Sequence, residues 1–447
     1  MSARIPRLVA ASGTVTIAAV LAFAVPCSGA SAAAVASAGA GAGVAVSVMG
    51  APPESPTATA TTSVDIFVGG EGGYPVYRIP AITRITAATR RGRLLAFAEG
   101  RGNLADNGTN DLVLRVSDDD GATFGPYRTI CDLPGRSLNN PCVVEVASGA
   151  HAGRVLLMFQ SYPEGCGEGC VIAGYDVADG GKADGKDADK VADKDASKDR
   201  ICRTLVMHSD DAGDTWSAPR EVTREVKRAT RATSVATGPG IGIQLARGAH
   251  KGRVIMPFNE GPPDQWRVYA AYSDDGGDSW KLGDPAPDDE KGVGNEVQMF
   301  ERADGSVVLN ARQHLGPKLR TQAVSTDGGA TWSRLSDIAE LPDPQCMGGV
   351  LALDATILGA STPDASIVVF TGCDSPSRRA LGTMWISRDG GATWPQKVLV
   401  EPEGFAYSLP VQLASGEIGV VHETGGYKRI VLRRVTVPAA AASPAAR

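Results

Sequence analysis

No C-x-x-C pair occurs anywhere in this sequence, and its five histidines are scattered. Structural zinc needs closely spaced cysteine or histidine ligands, so neither a zinc centre nor any other bound metal is expected, and no cofactor either. Positive charge is not in excess: the net charge is −6 over 447 residues, without the basic footprint that nucleic-acid binding requires. Sustained helical periodicity is missing too, so helices are not expected to build the core. What is present is 43% hydrophobic residues, enough for a globular protein. The length exceeds what one ordinary core holds, unless that core is itself a repeat.

At the N-terminus Arg4 and Arg7 precede an apolar run, and Ala30–Ala32 reads as a small-residue cleavage site. Residues 1–32 are therefore read as a secretory signal peptide and the protein as extracellular. A lipoprotein anchor on Cys27 is the alternative, which Pro26 disfavours. Residues 33–62, rich in Ala, Gly, Ser, Thr and Pro, read as a disordered linker, 63–437 as the folded domain, and 438–447 as a disordered tail. Export permits disulfides. Cys131–Cys142 and Cys346–Cys373 are candidate pairs, and among Cys166, Cys170 and Cys202 one is left over; sequence does not fix the connectivity.

One pattern, S-x-D-x-G-x-[TS]-[WF], occurs five times, as "SDDDGATF" from Ser117, "SDDAGDTW" from Ser209, "SDDGGDSW" from Ser273, "STDGGATW" from Ser325 and "SRDGGATW" from Ser387. A catalytic site is built once, so a feature present in every unit is architectural. Ser and Asp bond nearby backbone, Gly supplies positive φ, and the aromatic anchors the turn. The shared aspartates Asp119, Asp211, Asp275, Asp327 and Asp389 are thus assigned to structural turns. A calcium loop of the EF-hand type would need a downstream glutamate that no copy has.

Six short apolar runs complete the repeat, at 92–101, 153–162, 252–260, 305–312, 366–373 and 416–423, and each of the first five precedes one box. They read as buried strands. Together they predict an all-β fold, a six-bladed β-propeller of four-stranded antiparallel blades, with "VDIFVG" near the start of the domain supplying the last blade's outer strand. The second unit is roughly 30 residues longer than the others; its excess, about 176–200, alternates Lys and Asp and reads as a solvated, disordered insertion.

Strand alternation then sorts the residues onto two faces. With the runs as second strands, every box lies on one face. Opposite it lie Arg101 and Asp106 after the first run, Arg312 at the end of the fourth, Arg378 and Arg379 after the fifth, and Glu423 at the end of the sixth. Arg78, Asn140, Glu296 and Tyr407, expected just before first strands, join them. Three arginines in one mouth would bind a carboxylate or phosphate through bidentate forks. A rim carboxylate with a Tyr–Glu pair would supply an acid and an activated nucleophile.

The set of "YRIP", the repeated Asp boxes, "GPGIGIQL", "GNEVQ", "LNAR", "DPQCMGG" and "YSLP" resembles the secreted bacterial exo-α-sialidases, a retaining glycosidase family, from about residue 64 to 437. The resemblance implies Arg78, Arg312 and Arg379 as a triad gripping the sialic acid carboxylate. Arg379 is preferred to Arg378 because the family's third arginine stands eight residues before the serine of the last box. It implies Tyr407 as nucleophile, Glu296 as its general base, Asp106 as acid/base, Glu423 as the group orienting Arg78, and Arg101 near the sugar's 4-hydroxyl. Asn140 stands where the family often has Asp. The implied partners are sialylated glycoproteins, glycolipids or oligosaccharides, handled by a monomer with no nucleic acid and no membrane insertion. A trans-sialidase, a propeller that binds sialoglycans without cleaving them, and a purely structural propeller remain open.

Overall fold

The computed structural model describes residues 63–175, 200–288, 293–354, 356–358 and 366–438. The expected signal peptide and linker, all but the end of the charged insertion, and nearly all of the tail lie outside them. Among the described residues, twenty-six strands form six sheets, the blades of a propeller. The first blade shows the plan: Val76–Arg84, Leu94–Arg101, Asn110–Ser117 and Arg128–Cys131, each antiparallel to the next. The only helix among the described residues beyond one 3-10 turn is Thr223–Val226, and none is long and apolar enough to cross a membrane.

The second strands read as unbroken apolar runs because both of their faces are covered by neighbouring blades. Leu94–Arg101 and Val254–Glu260 are buried at every position. Outer strands, with one wet face, mix exposed and buried positions, as in Ser336–Pro342. Two blades depart from the four-strand plan. The chain at 238–242 leaves the third blade's inner edge, so that Gly240–Ile241 adds in parallel to Arg136–Glu145 before Ile243–Gln244 returns to Val254–Glu260. Gly238 permits this detour, because a Cβ there would sit 1.8 Å from the Val297 carbonyl oxygen. The ring closes where Ser63–Val68 pairs with Arg429–Val435, so both ends of the described domain meet in one blade.

All five boxes adopt the same turn after a third strand. In the second copy Ser209 Oγ donates to Asp211 Oδ1 at 2.8 Å and accepts the Gly213 N–H at 2.8 Å. Asp211 also accepts the Thr215 N–H at 2.8 Å and the Thr215 hydroxyl at 2.6 Å. Gly213 has φ +89°, and a Cβ on it would meet Leu95 of the preceding blade at 2.8 Å, so the glycine serves both conformation and contact. The preceding blade also grips the box: Arg93 donates to the Ala212 carbonyl and to Asp214 at 2.6 Å. Arg253 does the same to the carbonyls of Asp327 and Gly328. The boxes are rivets between neighbouring blades.

The candidate disulfides are corrected. Cys166 pairs with Cys170, with Cα atoms 5.3 Å apart, whereas Cys131, Cys142, Cys202, Cys346 and Cys373 are buried thiols. Cys131 ends the first blade's outer strand and Cys142 lies in the second blade's inner strand, within separate apolar clusters. Cys346 and Cys373 are neighbours, but the Cys373 thiol donates to the Phe405 carbonyl at 3.4 Å. Burial, and next the Cys373 thiol, push Cys346 well above its usual range, which disfavours the reactive thiolate.

The rivets carry a pH signature. Partial burial opposes the charge on Asp275, but hydrogen bonds from Ser279, Ser273 and backbone N–H groups outweigh it and hold the carboxyl at about 2. The other four box aspartates are lowered by the same balance. A depressed folded-state pKa means that this stabilisation is complete above the unfolded value of about 3.9 and is lost as pH falls through the folded one. The melting temperature is expected to fall between about pH 4 and pH 2, and less steeply in Asp275→Asn. Circular dichroism melts at fixed ionic strength measure both; identical slopes would contradict the assignment.

Candidate functional site

On the face opposite the boxes the first strands open a pocket of about 560 Å³. Its geometry is set by breaks in strand register. The first strands of blades one, two and four carry bulges between Arg78 and Ala81, Asn139 and Cys142, and Gly294 and Val297. Bulges at a rim re-aim side chains. In two of them the residue before a proline takes positive φ, Ile79 at 57° and Asn140 at 55°. An isoleucine there is costly and must be held by its surroundings. Glu423, at the end of the previous blade's second strand and fully buried, accepts the Ile79 N–H at 2.9 Å. Glu99, in the equivalent strand of blade one, accepts the Asn140 N–H at 2.7 Å. Gln160 repeats the arrangement with the Thr237 N–H at 2.9 Å.

Glu423 performs a second task. Both its oxygens engage Arg78, from Nε at 2.9 Å and Nη2 at 3.1 Å. Burial disfavours charge on Arg78, but Glu423 more than offsets it, so the guanidinium is held above its ordinary range. Its Cζ lies 5.1 and 4.5 Å from the ring centroids of Tyr407 and Tyr427. Arg379 comes from the loop after the fifth blade's second strand and is fixed by the Tyr427 hydroxyl at 3.0 Å and the Gln345 carbonyl at 2.8 Å. Arg379 lines the pocket and Arg378 is exposed outside it.

Tyr407 stands at the pocket floor, just before the strand Ser408–Gln412. Its hydroxyl donates a very short hydrogen bond to Glu296 Oε1. Arg312 Nη1 donates to Glu296 Oε2 at 2.6 Å and to the Tyr407 oxygen at 3.2 Å. Burial, and next the Glu296 carboxylate, hold the phenol well above its usual range; Arg312, Arg78 and Arg379 pull the other way. The resting phenol therefore keeps its proton. A neutral hydroxyl beside a proton acceptor and under three cations is suited to attack a centre that already bears negative charge.

Asp106 projects into the mouth with its side chain 78% exposed, 2.7 Å from Arg101 Nη1 and 3.9 Å from Arg78 Nη1. Arg101 is itself buried and is also tied to Glu99 through Nε at 2.7 Å, so it borders the pocket as a brace for two carboxylates. Asn140 lines the pocket beside Asn139. None of the five box aspartates does. Sequence reasoning missed Glu99, Gln160, Tyr427, Trp266, His314 and Glu168. Glu99 carried a signal: it stands in "AFAEGR" one blade on around the ring from Glu423 in "GVVHET", at the same strand end.

The described residues thus form a six-bladed propeller with an arginine-rimmed pocket on the face away from its Asp boxes. The BNR repeat-like domain family matches residues 92–420, and the chain belongs to that family. It is similar to a sialidase of Micromonospora viridifaciens, with 30% identity over 374 residues, spanning 81% of this chain and 52% of that protein. The chain thus spans about half the length of that relative. Its fold is similar to Hadza microbial sialidase Hz136, with a TM-score of 0.68, 22% identity, and 84% and 68% of the two chains covered. It is likewise similar to the intramolecular trans-sialidase from Ruminococcus gnavus, with a TM-score of 0.67, 20% identity, and 84% and 97% covered.

Removing Glu423 would leave Arg78 charged and buried and the Ile79 N–H unpaired. Glu423→Ala is expected to cost about 3–5 kcal/mol in denaturant unfolding, because breaking one side of a buried pair strands the other. A loss under about 1 kcal/mol would show that the joint is not held this way.

Proposed function

We propose that this protein is an exo-α-sialidase that releases terminal α-linked sialic acids by a retaining double displacement. The observation that carries the reading is the Tyr407 hydroxyl, bonded to Glu296 beneath Arg78, Arg312 and Arg379. Sialic acid bears a carboxylate on its anomeric carbon, so an Asp or Glu nucleophile would be repelled, and sialidases use tyrosine instead. The arginines fix that carboxylate. The Tyr407 oxygen attacks the anomeric carbon as its proton passes to Glu296, a concerted transfer suited to a phenol that is protonated at rest. The bond to the leaving oxygen breaks, and that oxygen takes a proton from Asp106. Water then gives a proton to Asp106 and attacks the same carbon; the tyrosyl bond breaks and Tyr407 recovers its proton from Glu296. Two inversions restore the α configuration. Arg101 braces Asp106 and borders the sugar, with Asn140 beside it.

We read the protein as exported, on its N-terminal segment; the Cys166–Cys170 disulfide is in keeping with that compartment.

A fluorogenic α-sialoside tests the activity, and no release between mildly acidic and neutral pH would exclude it. Tyr407→Phe and Glu296→Gln are each expected to lower kcat by about 10²–10⁴ with the fold intact. Arg312→Ala is expected to raise KM and lower kcat together, since one fork of the carboxylate clamp is lost. Product analysis with lactose present separates hydrolysis, which yields free sialic acid, from transfer, which yields sialyllactose.

A further inference from the structure

The pocket has a wall that this mechanism does not use. Between the second and third strands of blade two, Cys166 and Cys170 close a five-residue loop, "CGEGC", that reaches over the mouth. Gly167 and Glu168 line the pocket. The loop is anchored to the segment that carries Asp106: the Gly165 N–H donates to the Asn107 carbonyl at 3.0 Å, and the Thr109 hydroxyl to Glu164 at 2.9 Å. Flanking glycines give Glu168 clearance, and the disulfide shortens the loop's reach, so the carboxylate is presented at a defined place.

Among the described residues, Glu168 is a pocket carboxylate without a hydrogen-bond or ion-pair partner. Asp106 and Glu296 both bind arginine. Burial by the surrounding protein, and next the charges of Glu296 and Asp106, push the Glu168 carboxyl up to about 7, with Arg312 partly offsetting them. The residue is nonetheless exposed to the pocket opening. Ionised or protonated, the carboxyl keeps oxygen lone pairs that accept hydrogen bonds, so a vacant one facing a pocket suits N–H or O–H donors. The proposed substrate has its negative charge at one end, where Arg78, Arg379 and Arg312 gather around Tyr407. The rest of the sugar is neutral and rich in donors: an acetamido N–H and the hydroxyls of a three-carbon side chain. Glu168 belongs to blade two, whereas the arginines come from blades one, four and five.

Resting on the sialidase reading, we propose that Glu168 is a specificity-determining residue that recognises the neutral, donor-bearing part of the sugar. It acts in binding and takes no proton in the reaction.

The test measures kcat and KM for the wild type, Glu168→Gln and Glu168→Ala with three 4-methylumbelliferyl α-sialosides. One is intact, one lacks the last two carbons of the side chain, and one has a hydroxyl in place of the acetamido group. With the intact substrate, Glu168→Ala is expected to raise KM about tenfold while kcat stays within about twofold, the effect of losing one hydrogen bond. Glu168→Gln is expected to fall between. With the analogue lacking the recognised group, wild type and variants should share one KM. An equal rise in KM across all three substrates, or a fall in kcat at constant KM, would overturn the assignment. Turnover by the wild type separates the two readings: without it the sialidase activity fails and takes this assignment with it. With it, an unaltered KM in Glu168→Ala removes this assignment alone. Cys166→Ser with Cys170→Ser is expected to raise KM for the intact substrate in the same direction, and an unchanged KM would show that the disulfide does not position Glu168.

Discussion

The pocket depends on one kind of joint: a side-chain acceptor at the end of one blade's second strand bonded to a backbone N–H in the next blade's first strand. Glu423 does this for Ile79, Glu99 for Asn140 and Gln160 for Thr237. At the first two, the receiving residue stands in the left-handed region before a proline. Neither the strain nor the N–H would be tolerated in a plain strand, so the acceptor makes the bulge possible. The bulge turns Arg78 and Asn140 toward the mouth. One interaction therefore links blade to blade and aims the groups that face the pocket.

Charge is layered around that joint. Glu423 neutralises Arg78 from behind, Glu99 neutralises Arg101, and Asp343 faces the buried Arg320 at 3.5 Å beneath Arg312. Glu423 and Glu99 offset the desolvation of their guanidiniums, whereas Arg320 is enclosed and burial holds it below its ordinary range despite Asp343. On the opposite face, the boxes tie the same blades with hydroxyls, carbonyls and exposed carboxylates. Two different chemistries thus join the same neighbours, one forming a dry pocket wall and the other a wet rim.

Much of this was legible because it repeats. Five boxes and six apolar runs defined blades, faces and the closing strand, and the faces put Arg78, Asp106, Glu296, Arg312, Tyr407 and Glu423 together with the Arg378–Arg379 pair, of which the family resemblance singled out Arg379. What stayed hidden depends on register or on single loops. Tyr427 meets Arg379 because a turn at the end of the sixth blade folds toward the fifth. Trp266 and Glu168 reach the pocket from connections whose composition, "PPDQW" and "CGEGC", reads only as loop. The cysteines misled because chain proximity joins a pair only when both lie in one loop of a blade. Cys131 and Cys142 lie at opposite edges of successive blades, whereas Cys166 and Cys170 share one loop. The detour at 238–242 was equally invisible, since a parallel addition to the neighbouring sheet leaves no mark on alternation.

The closing strand has a consequence for time as well as for shape. Ser63–Val68 belongs to the last blade, yet it is made before every other strand of the domain. Its partner, Arg429–Val435, is the last of the described strands in chain order. During synthesis the first five blades can collapse in order, each on its predecessor, while this early strand waits unpaired. The sixth blade keeps an open edge until the two ends meet, a contact of very long sequence separation and correspondingly slow formation. The completed circle is therefore a checkpoint: a chain cut short before its last strand cannot close, however well its other blades have formed.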